Sequence, residues 1–232
     1  MSALSITWFG HATFLLTTPG GKRIVFDPWL TGNPKAPSGA KIDKADVICV
    51  THAHGDHTGD VIPVARATGA PVVAVYELAN WFGTKGLKDV IGMGIGGTVD
   101  VKGLKISMTP AVHTSSVDDD GKAPYVGVAT GFVVRLEDGR ALYFAGDTSL
   151  FGDMRLIKEL YAPEIAFLPI GDHYTMGPAA AAKASEFLGV RQIVPMHYGT
   201  FPVLTGTPEE LKKLVEPRGV DVLVLKPGET AS

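Results

Sequence analysis

The sequence predicts an α/β protein in which mixed β-sheets carry helices on their outer faces. Short β-branched runs dominate much of residues 1–140. Beyond residue 140, predicted strands and helices alternate strictly. A strand-rich start followed by such alternation is typical of mixed sheets covered by helices. Because no linker rich in proline, glycine or serine divides the chain, we expect one domain spanning residues 1–232.

The first half is predicted to begin with strands at residues 4–10, 13–18, 23–27 and 46–51. A helix, a strand and a second helix are then expected at residues 59–69, 71–76 and 77–86. Strands return at residues 98–103, 105–113 and 126–139. The glycine-rich residues 92–97 predict a turn or loop, because they precede a strand and open no helix.

The second half predicts four strands, each but the last followed by a helix. The strands are expected at residues 141–147, 164–172, 192–198 and 220–226. The helices are expected at residues 149–161, 177–189 and 207–219.

Composition narrows the classes of function. The formal charge of −3 and a pI near 6.1 give no general attraction for nucleic acid or anionic membranes, and no lysine or arginine run supplies one locally. The first residues lack the pattern of a signal peptide, and eighteen apolar residues never run together. We therefore expect a cytoplasmic protein. The single cysteine, Cys49, lies in a predicted buried strand and is interpreted as a small core residue.

A tight cluster of metal-ligating side chains follows the strand at residues 46–51. In the run THAHGDH, His52 and His54 are two apart, so their side chains point the same way from an extended segment. Asp56 and His57 come after the turn at Gly55 and can reach a second position beside the first. Three imidazoles and a carboxylate packed this closely favour a metal over a set of helix caps.

Three later residues can complete the ligand set. His113, Asp147 and His197 each stand at the polar end of a predicted apolar strand. A single such residue is usually a cap or a surface residue, but three in this order favour ligands. Imidazole and carboxylate ligands suit zinc, and also manganese, iron or nickel.

With these residues in place, the chain resembles the metallo-β-lactamase superfamily. THAHGDH matches its H-x-H-x-D-H signature, and His113, Asp147 and His197 match its later ligands in order. The words WFGHATFLL, FDPWL, FAGDT and LPIGDHYTMGP are similar to the metal-dependent hydrolase branch that contains L-ascorbate-6-phosphate lactonase and its uncharacterised relatives.

This resemblance implies a four-layer αββα sandwich with the site at the edge where two mixed sheets meet. It implies two divalent metal ions. One would be held by His52, His54 and His113, the other by Asp56, His57 and His197, and Asp147 would bridge them.

The expected chemistry is hydrolysis by a metal-bridging hydroxide, with Asp56 as ligand and proton acceptor. His173 is a candidate proton donor to the leaving group, or else a helix cap. His11 is a substrate or ligand-supporting residue, or a structural turn, and Asp27 is expected to hydrogen-bond a ligand imidazole. Tyr174, which follows His173, and Tyr198, which follows His197, are further candidates for contact with the substrate.

Three alternatives stay open or are set aside. A metal-binding sensor or structural module of the same fold would keep the ligands without turnover. A nuclease-type phosphodiesterase is the second alternative, although this compact acidic chain has no room for a large RNA-gripping insert. Diiron oxidoreductases of the fold carry a glutamate where His54 stands, which disfavours redox chemistry. The expected partner is a small-molecule substrate, with no nucleic acid and no membrane, and a homo-oligomer is left open.

Two loops are candidates for control of access and specificity. Substrate choice in such folds depends on the loops over the site. The long loop at residues 27–43 is the candidate for it, and the acidic loop at residues 118–122 is a candidate lid.

Overall fold

The computed structural model describes residues 3–232. Its fourteen described strands form two mixed sheets of seven strands each. The strands of the first sheet are β1 (Ser5–Trp8), β2 (Phe14–Thr17), β3 (Arg23–Phe26), β4 (Val47–Cys49), β5 (Val72–Val75), β6 (Val90–Met93) and β14 (Thr230–Ala231). Those of the second are β7 (Thr98–Val101), β8 (Leu104–Pro110), β9 (Thr130–Arg135), β10 (Ala141–Phe144), β11 (Ile165–Pro169), β12 (Gln192–Met196) and β13 (Asp221–Val222).

The two sheets have the same plan. The first runs in the order β14-β1-β2-β3-β4-β5-β6, and the second runs in the order β13-β12-β11-β10-β9-β8-β7. In each, one half is antiparallel and the other parallel. As a result β1, β3 and β4 of the first sheet point the same way, and so do β8, β10, β11 and β12 of the second.

A phenylalanine core joins the sheets face to face. Phe26 of β3 stacks on Phe144 of β10 with ring centroids 4.2 Å apart, and Phe14 of β2 meets Phe167 of β11 edge-on at 5.0 Å. All four rings are fully buried. Each aromatic pair contributes about 0.5–1.5 kcal/mol beyond its buried area.

Helices cover the outer faces. They are α1 (Gly55–Thr58), α2 (Val61–Thr68), α3 (Tyr76–Thr84), α4 (Met154–Tyr161), α5 (Pro178–Leu188) and α6 (Pro208–Val215). Helix α3 packs on β5 and β6 of the first sheet, and α5 and α6 pack on β11 and β13 of the second. The predicted four-layer order of helix, sheet, sheet and helix is therefore confirmed.

Local sequence explains where the later helices start and stop. Helix α6 begins with a capping box, in which Thr207 accepts from the backbone N–H of Glu210 and the Glu210 side chain accepts from that of Thr207. Helix α5 begins with Pro178, whose missing N–H costs nothing there, and ends before Gly189 in the left-handed conformation.

The predicted helix at 59–69 is confirmed as α2, which ends before Gly69, whereas the short helix α1 was not predicted. Several other predicted boundaries were wrong. Helix α4 begins five residues later than expected, at Met154. Residues 92 and 93, predicted as a loop, pair with β5 as the end of β6. The predicted strand at 126–139 is reduced to β9. Its start is late because Gly127 has a φ of +92° that an extended strand does not allow, and its end is early because Leu136 to Gly139 form a turn.

Cys49 is fully buried in β4, as predicted. Burial raises the pKa of its thiol well above the usual range, so it stays protonated and inert. The longest described helix, α5, has 11 residues, about half of what a bilayer requires, and no described helix can span a membrane.

Candidate metal centre

The candidate ligands lie at one edge of the sandwich, because they follow strands that point the same way. His52, His54, Asp56 and His57 follow β4. The other three come from the second sheet, with His113 after β8, Asp147 after β10 and His197 after β12. Thus side chains up to 145 positions apart in sequence meet where the two sheets meet.

A glycine allows the two sheets to approach here. Gly146, beside Asp147, has a φ of +62°, and a Cβ on it would lie 2.7 Å from the Cβ of Thr51 and 2.9 Å from the carbonyl oxygen of Thr130. Any larger residue would push the strand end that carries Asp147 away from the strand end that carries His52.

Backbone strain is concentrated at the same edge. His11, Asp27, His173 and His197 all have φ between +43° and +56°, a region that non-glycine residues seldom adopt. Such residues persist where the surrounding structure over-determines them, which happens most often at functional sites.

The first ligand group contains His52, His54 and His113, whose ring nitrogens converge. His52 Nε2 lies 3.0 Å from His54 Nδ1. The ring of His113 meets those of His52 and His54 edge-on, with centroids 5.1 and 5.2 Å away. Three imidazoles at this spacing suit one ion.

The second group contains Asp56, His57 and His197, and also His11. His197 Nε2 lies 4.0 Å from Asp56 Oδ2. The rings of His57 and His197 are nearly parallel, with an interplanar angle of 20° and centroids 5.8 Å apart. His11 is the member that the sequence did not assign to a metal.

Asp147 lies between the two groups and is almost fully buried. Its Oδ2 is 3.6 Å from His113 Nε2 and 4.0 Å from His52 Nε2 on one side. On the other side Oδ2 is 2.9 Å from His197 Nε2, and Oδ1 is 3.4 Å from His57 Nε2. One carboxylate therefore reaches both groups.

Two buried atoms support the interpretation as a metal centre. His57 Nε2 and Asp147 Oδ1 face each other at 3.4 Å, and neither has a hydrogen-bond partner among the described residues. Buried polar atoms seldom lack a partner, and a neutral imidazole nitrogen and a carboxylate oxygen can both give a lone pair to one cation. The mixed imidazole and carboxylate set fits a divalent transition metal.

Asp27 orients two of the candidate ligand imidazoles at once. Its fully buried Oδ2 accepts a 2.8 Å hydrogen bond from His57 Nδ1 and a 2.7 Å bond from the Thr51 hydroxyl. Because that hydroxyl proton is committed to Asp27, the Thr51 oxygen accepts the 3.0 Å bond from His52 Nδ1. In both rings Nδ1 is thereby committed to a hydrogen bond, so Nε2 is the atom left to bind a metal, and the hydrogen bond predicted from a candidate ligand imidazole to Asp27 is present.

Burial favours the neutral form of the three histidines in the first group. Burial lowers the pKa of His52 well below its usual value, and it also lowers the pKa of His54 and His113. Neutral imidazoles can donate a lone pair to a metal, whereas protonated ones cannot.

In the second group, the surrounding carboxylates favour the protonated, positively charged form of His57. Burial alone would lower the pKa of His57, but the carboxylates of Asp147, Asp27 and Asp56 raise it well above the usual value. Burial alone would raise the pKa of Asp147, but His197 and His57 hold it well below its usual range. The carboxylates thus attract one positive charge to His57, and a bound ion would replace that proton.

We expect Asp27→Asn to weaken metal binding by about 10- to 100-fold, the usual effect of losing a residue that orients a ligand. The amide nitrogen takes the place of one carboxylate oxygen, so either the Thr51 backbone N–H or His57 Nδ1 loses its acceptor, and the segment that fixes the rings of His52 and His57 is loosened. Competition with a chromogenic chelator measures the effect. Asp43→Asn, an exposed change in the same long loop, is the matched control. Equal affinities in both variants would remove the orienting role of Asp27.

A cavity of about 310 Å³ opens over the ligand edge. Tyr174 and Thr114 line it, together with the candidate ligands His54, Asp56, His113, Asp147 and His197. A larger cleft of about 500 Å³, between α5 and α6, contains none of these ligands and is therefore not the candidate site.

Of the other three residues predicted to contact the substrate, one lines the cavity and two do not. His173 is exposed, is not among the residues that line the cavity, and meets the Tyr174 ring edge-on at 4.4 Å. Tyr198 stacks on Trp8 at 5.2 Å and does not line the cavity either. Tyr174 is therefore the only one of the three at the cavity wall in the part of the chain described.

The two candidate loops are both anchored. Buried Asp60 holds the long loop by accepting hydrogen bonds from the backbone N–H groups of Leu30 and Thr31. In the acidic loop, Asp119 accepts from Trp81 Nε1 of α3 and pairs with Lys85 just beyond it. This ties the acidic loop to α3, and its residues do not line the cavity.

Sequence reasoning missed three hydroxyl residues at the site. Thr51 connects Asp27 to His52, and Thr200 contacts His11 Nδ1 at 2.9 Å. Thr114 lines the cavity. Their only sequence signal is nearness to a ligand, since each lies within three positions of His52, His197 or His113.

Comparisons with known proteins identify the class of protein and its fold. A family model described as a Beta-lactamase superfamily domain matches residues 22–198. A UPF0173 metal-dependent hydrolase of Rubrobacter xylanophilus is 51% identical over 97% of this chain and 94% of its own, and one of Solibacter usitatus is 46% identical over 97% and 98%. The solved structure of Igni18, a metallo hydrolase of Ignicoccus hospitalis, is 40% identical with a TM-score of 0.88, covering 98% of this chain and 97% of that one.

The sandwich and its convergent ligands define a metal-dependent hydrolase of the metallo-β-lactamase class. The resemblance found in the sequence is confirmed. Within that superfamily, the chain belongs to the family of UPF0173 metal-dependent hydrolases.

Proposed function

We propose that this hydrolase is dinuclear and cleaves a small-molecule ester, lactone or phosphodiester in the cytoplasm. The observation that carries the proposal is the position of Asp147, within 4.0 Å of ring nitrogens in both ligand groups. A carboxylate in that position suits a bridge between two ions, and zinc is the metal that we propose for these ligands, with manganese, iron or nickel as alternatives.

Each residue then has a defined task. His52, His54 and His113 would hold one ion, Asp56, His57 and His197 the other, and Asp147 both. Two divalent ions, when bound by these residues, would supply an activated water at neutral pH and would polarise the bond to be cleaved.

Asp56 would move the proton. Its carboxylate lines the cavity, and Oδ2 is already engaged by His11 at 3.0 Å. The other oxygen, Oδ1, would accept the proton of the attacking water. The side chains that line the cavity would also exclude bulk water from a bound substrate. A cavity of about 310 Å³ fits a small molecule, which is the substrate class that we propose.

A panel of chromogenic phosphodiesters, lactones and β-lactams tests the proposal after the metal content has been measured by elemental analysis. We expect at least one class to be turned over, and His52→Ala to abolish that turnover. Stoichiometric metal without turnover of any class would instead support a metal-binding sensor or structural module.

We assign contact with the substrate to Tyr174, because Tyr174 lines the cavity. Proton donation by His173 would require the His173 ring to turn toward the cavity. We expect Tyr174→Ala to lower kcat/KM by about two- to tenfold, the usual worth of an aromatic contact. His173→Asn, which tolerates the same left-handed backbone, should change it less than about twofold. A large fall in kcat for His173→Asn with KM unchanged would restore the leaving-group role predicted for His173.

A further inference from the structure

His11 is a buried histidine that the hydrolytic scheme leaves without a task. It lies in the turn after β1, has no solvent exposure, and holds a strained backbone with a φ of 55°. Its carbonyl oxygen accepts from the backbone N–H of His197 at 3.1 Å and from Trp8 Nε1 at 3.0 Å. The ring and backbone of His11 are therefore fixed against the segment that carries a candidate ligand.

Both ring nitrogens of His11 are occupied. Nε2 lies 3.0 Å from Asp56 Oδ2, and a carboxylate can only accept, so Nε2 carries the proton of this bond. Nδ1 lies 2.9 Å from the Thr200 hydroxyl, which donates to it in the neutral ring. The ring of His197 packs on His11 at 3.9 Å and blocks a large rotation.

Two roles compete for such a residue. His11 groups with Asp56, His57 and His197 closely enough to be an additional ligand. As a ligand, however, Nε2 would lose its proton and its bond to Asp56, which is the bond that fixes that side chain. Asp56 is partly exposed and has no other side-chain hydrogen bond among the described residues.

We propose that His11 is a positioning residue that holds Asp56 toward the cavity, with Thr200 fixing its tautomer. The inference rests on the proposed function, in which Asp56 is both a ligand and the proton acceptor. Nε2–H restrains one carboxylate oxygen and leaves the other for the chemistry. Restraint of this kind matters because small misplacement of a reacting group can cost about 100-fold in rate.

Three variants separate the roles. His11→Phe keeps the ring volume and removes the donor to Asp56. His11→Gln places an amide N–H near the position of Nε2 and restores the donor. Thr200→Val removes the hydroxyl at nearly constant volume. Each is loaded with zinc, and the two dissociation constants are measured by chelator competition beside kcat and KM.

We expect His11→Phe to lower kcat by about 10- to 100-fold with KM nearly unchanged, and to weaken only the ion near Asp56. His11→Gln should recover most of both losses, and Thr200→Val should fall between wild type and His11→Phe. Equal loss of that ion in the Gln and Phe variants would show that His11 is a ligand. Weakening of both ions alike, or no effect in His11→Phe, would overturn the positioning role.

The zinc measurement also separates this inference from the proposed function. If no substrate class is turned over by the wild type, the proposed function fails. The dissociation constants of the three variants still decide whether His11 positions Asp56.

Discussion

Asp147→Asn should abolish hydrolysis and reduce the metal content from two ions per chain to one or none. Asp147 is the residue that reaches both ligand groups, and asparagine offers one neutral acceptor in place of two charged oxygens. Loss of a residue that hydrogen-bonds a metal ligand lowers metal affinity or activity by about 10- to 100-fold, so loss of the shared ligand itself should lower them further. Elemental analysis and turnover of the best substrate measure both effects.

The control is Asp221→Asn, the same change at an exposed position in β13 of the same sheet. It should keep both ions and full turnover. If Asp147→Asn behaved like this control, the shared-ligand role would be wrong. Circular dichroism of both variants excludes unfolding as the cause of any loss.

Asp56→Asn should separate metal binding from catalysis. The amide oxygen can still bind weakly, and His57 and His197 remain, so we expect some of the second metal to stay bound. As proton acceptor, however, the neutral amide fails, and turnover should fall by about 10²- to 10⁴-fold, the usual contribution of a general base. Metal content and kcat, measured on one preparation, test the two parts together.

Asp89→Asn, an exposed substitution away from the cavity, serves as the control for Asp56→Asn. Unchanged turnover in Asp56→Asn would remove Asp56 as the proton acceptor. A complete loss of the second ion would leave it as a ligand, with no separate role in proton transfer resolved.

Local patterns predicted the layers and the ligand edge well, because both depend on short-range signals. His52 and His54 stand two apart after an apolar strand, and that spacing alone predicts a shared direction. The ends of parallel strands meet at one edge, so His113, Asp147 and His197 could be expected near them.

The contacts that orient the ligands could not be predicted in this way. His11 and Thr200 are 189 positions apart, and their hydrogen bond depends on how β1 and the segment after β12 close on each other. The double role of Asp27 can be predicted only if the Thr51 hydroxyl is known to donate to it. Neither contact produces a periodic pattern in the sequence.

His173 shows the limit of this local signal. Its position after the apolar strand β11 predicted a side chain at the site, by the same reasoning that succeeded for His197. Both residues have a φ of 56°, but only His197 is buried among the ligands. The turn that follows a strand, rather than the strand itself, decides which way such a residue faces.

The most direct test of the two-metal account is a titration of metal-free protein with zinc, following turnover against ions bound per chain. We predict little turnover up to one equivalent and a rise that is complete at two. Full turnover at one equivalent would contradict the dinuclear site. Two tightly bound ions with no turnover of any ester, lactone or phosphodiester would contradict the proposed hydrolysis.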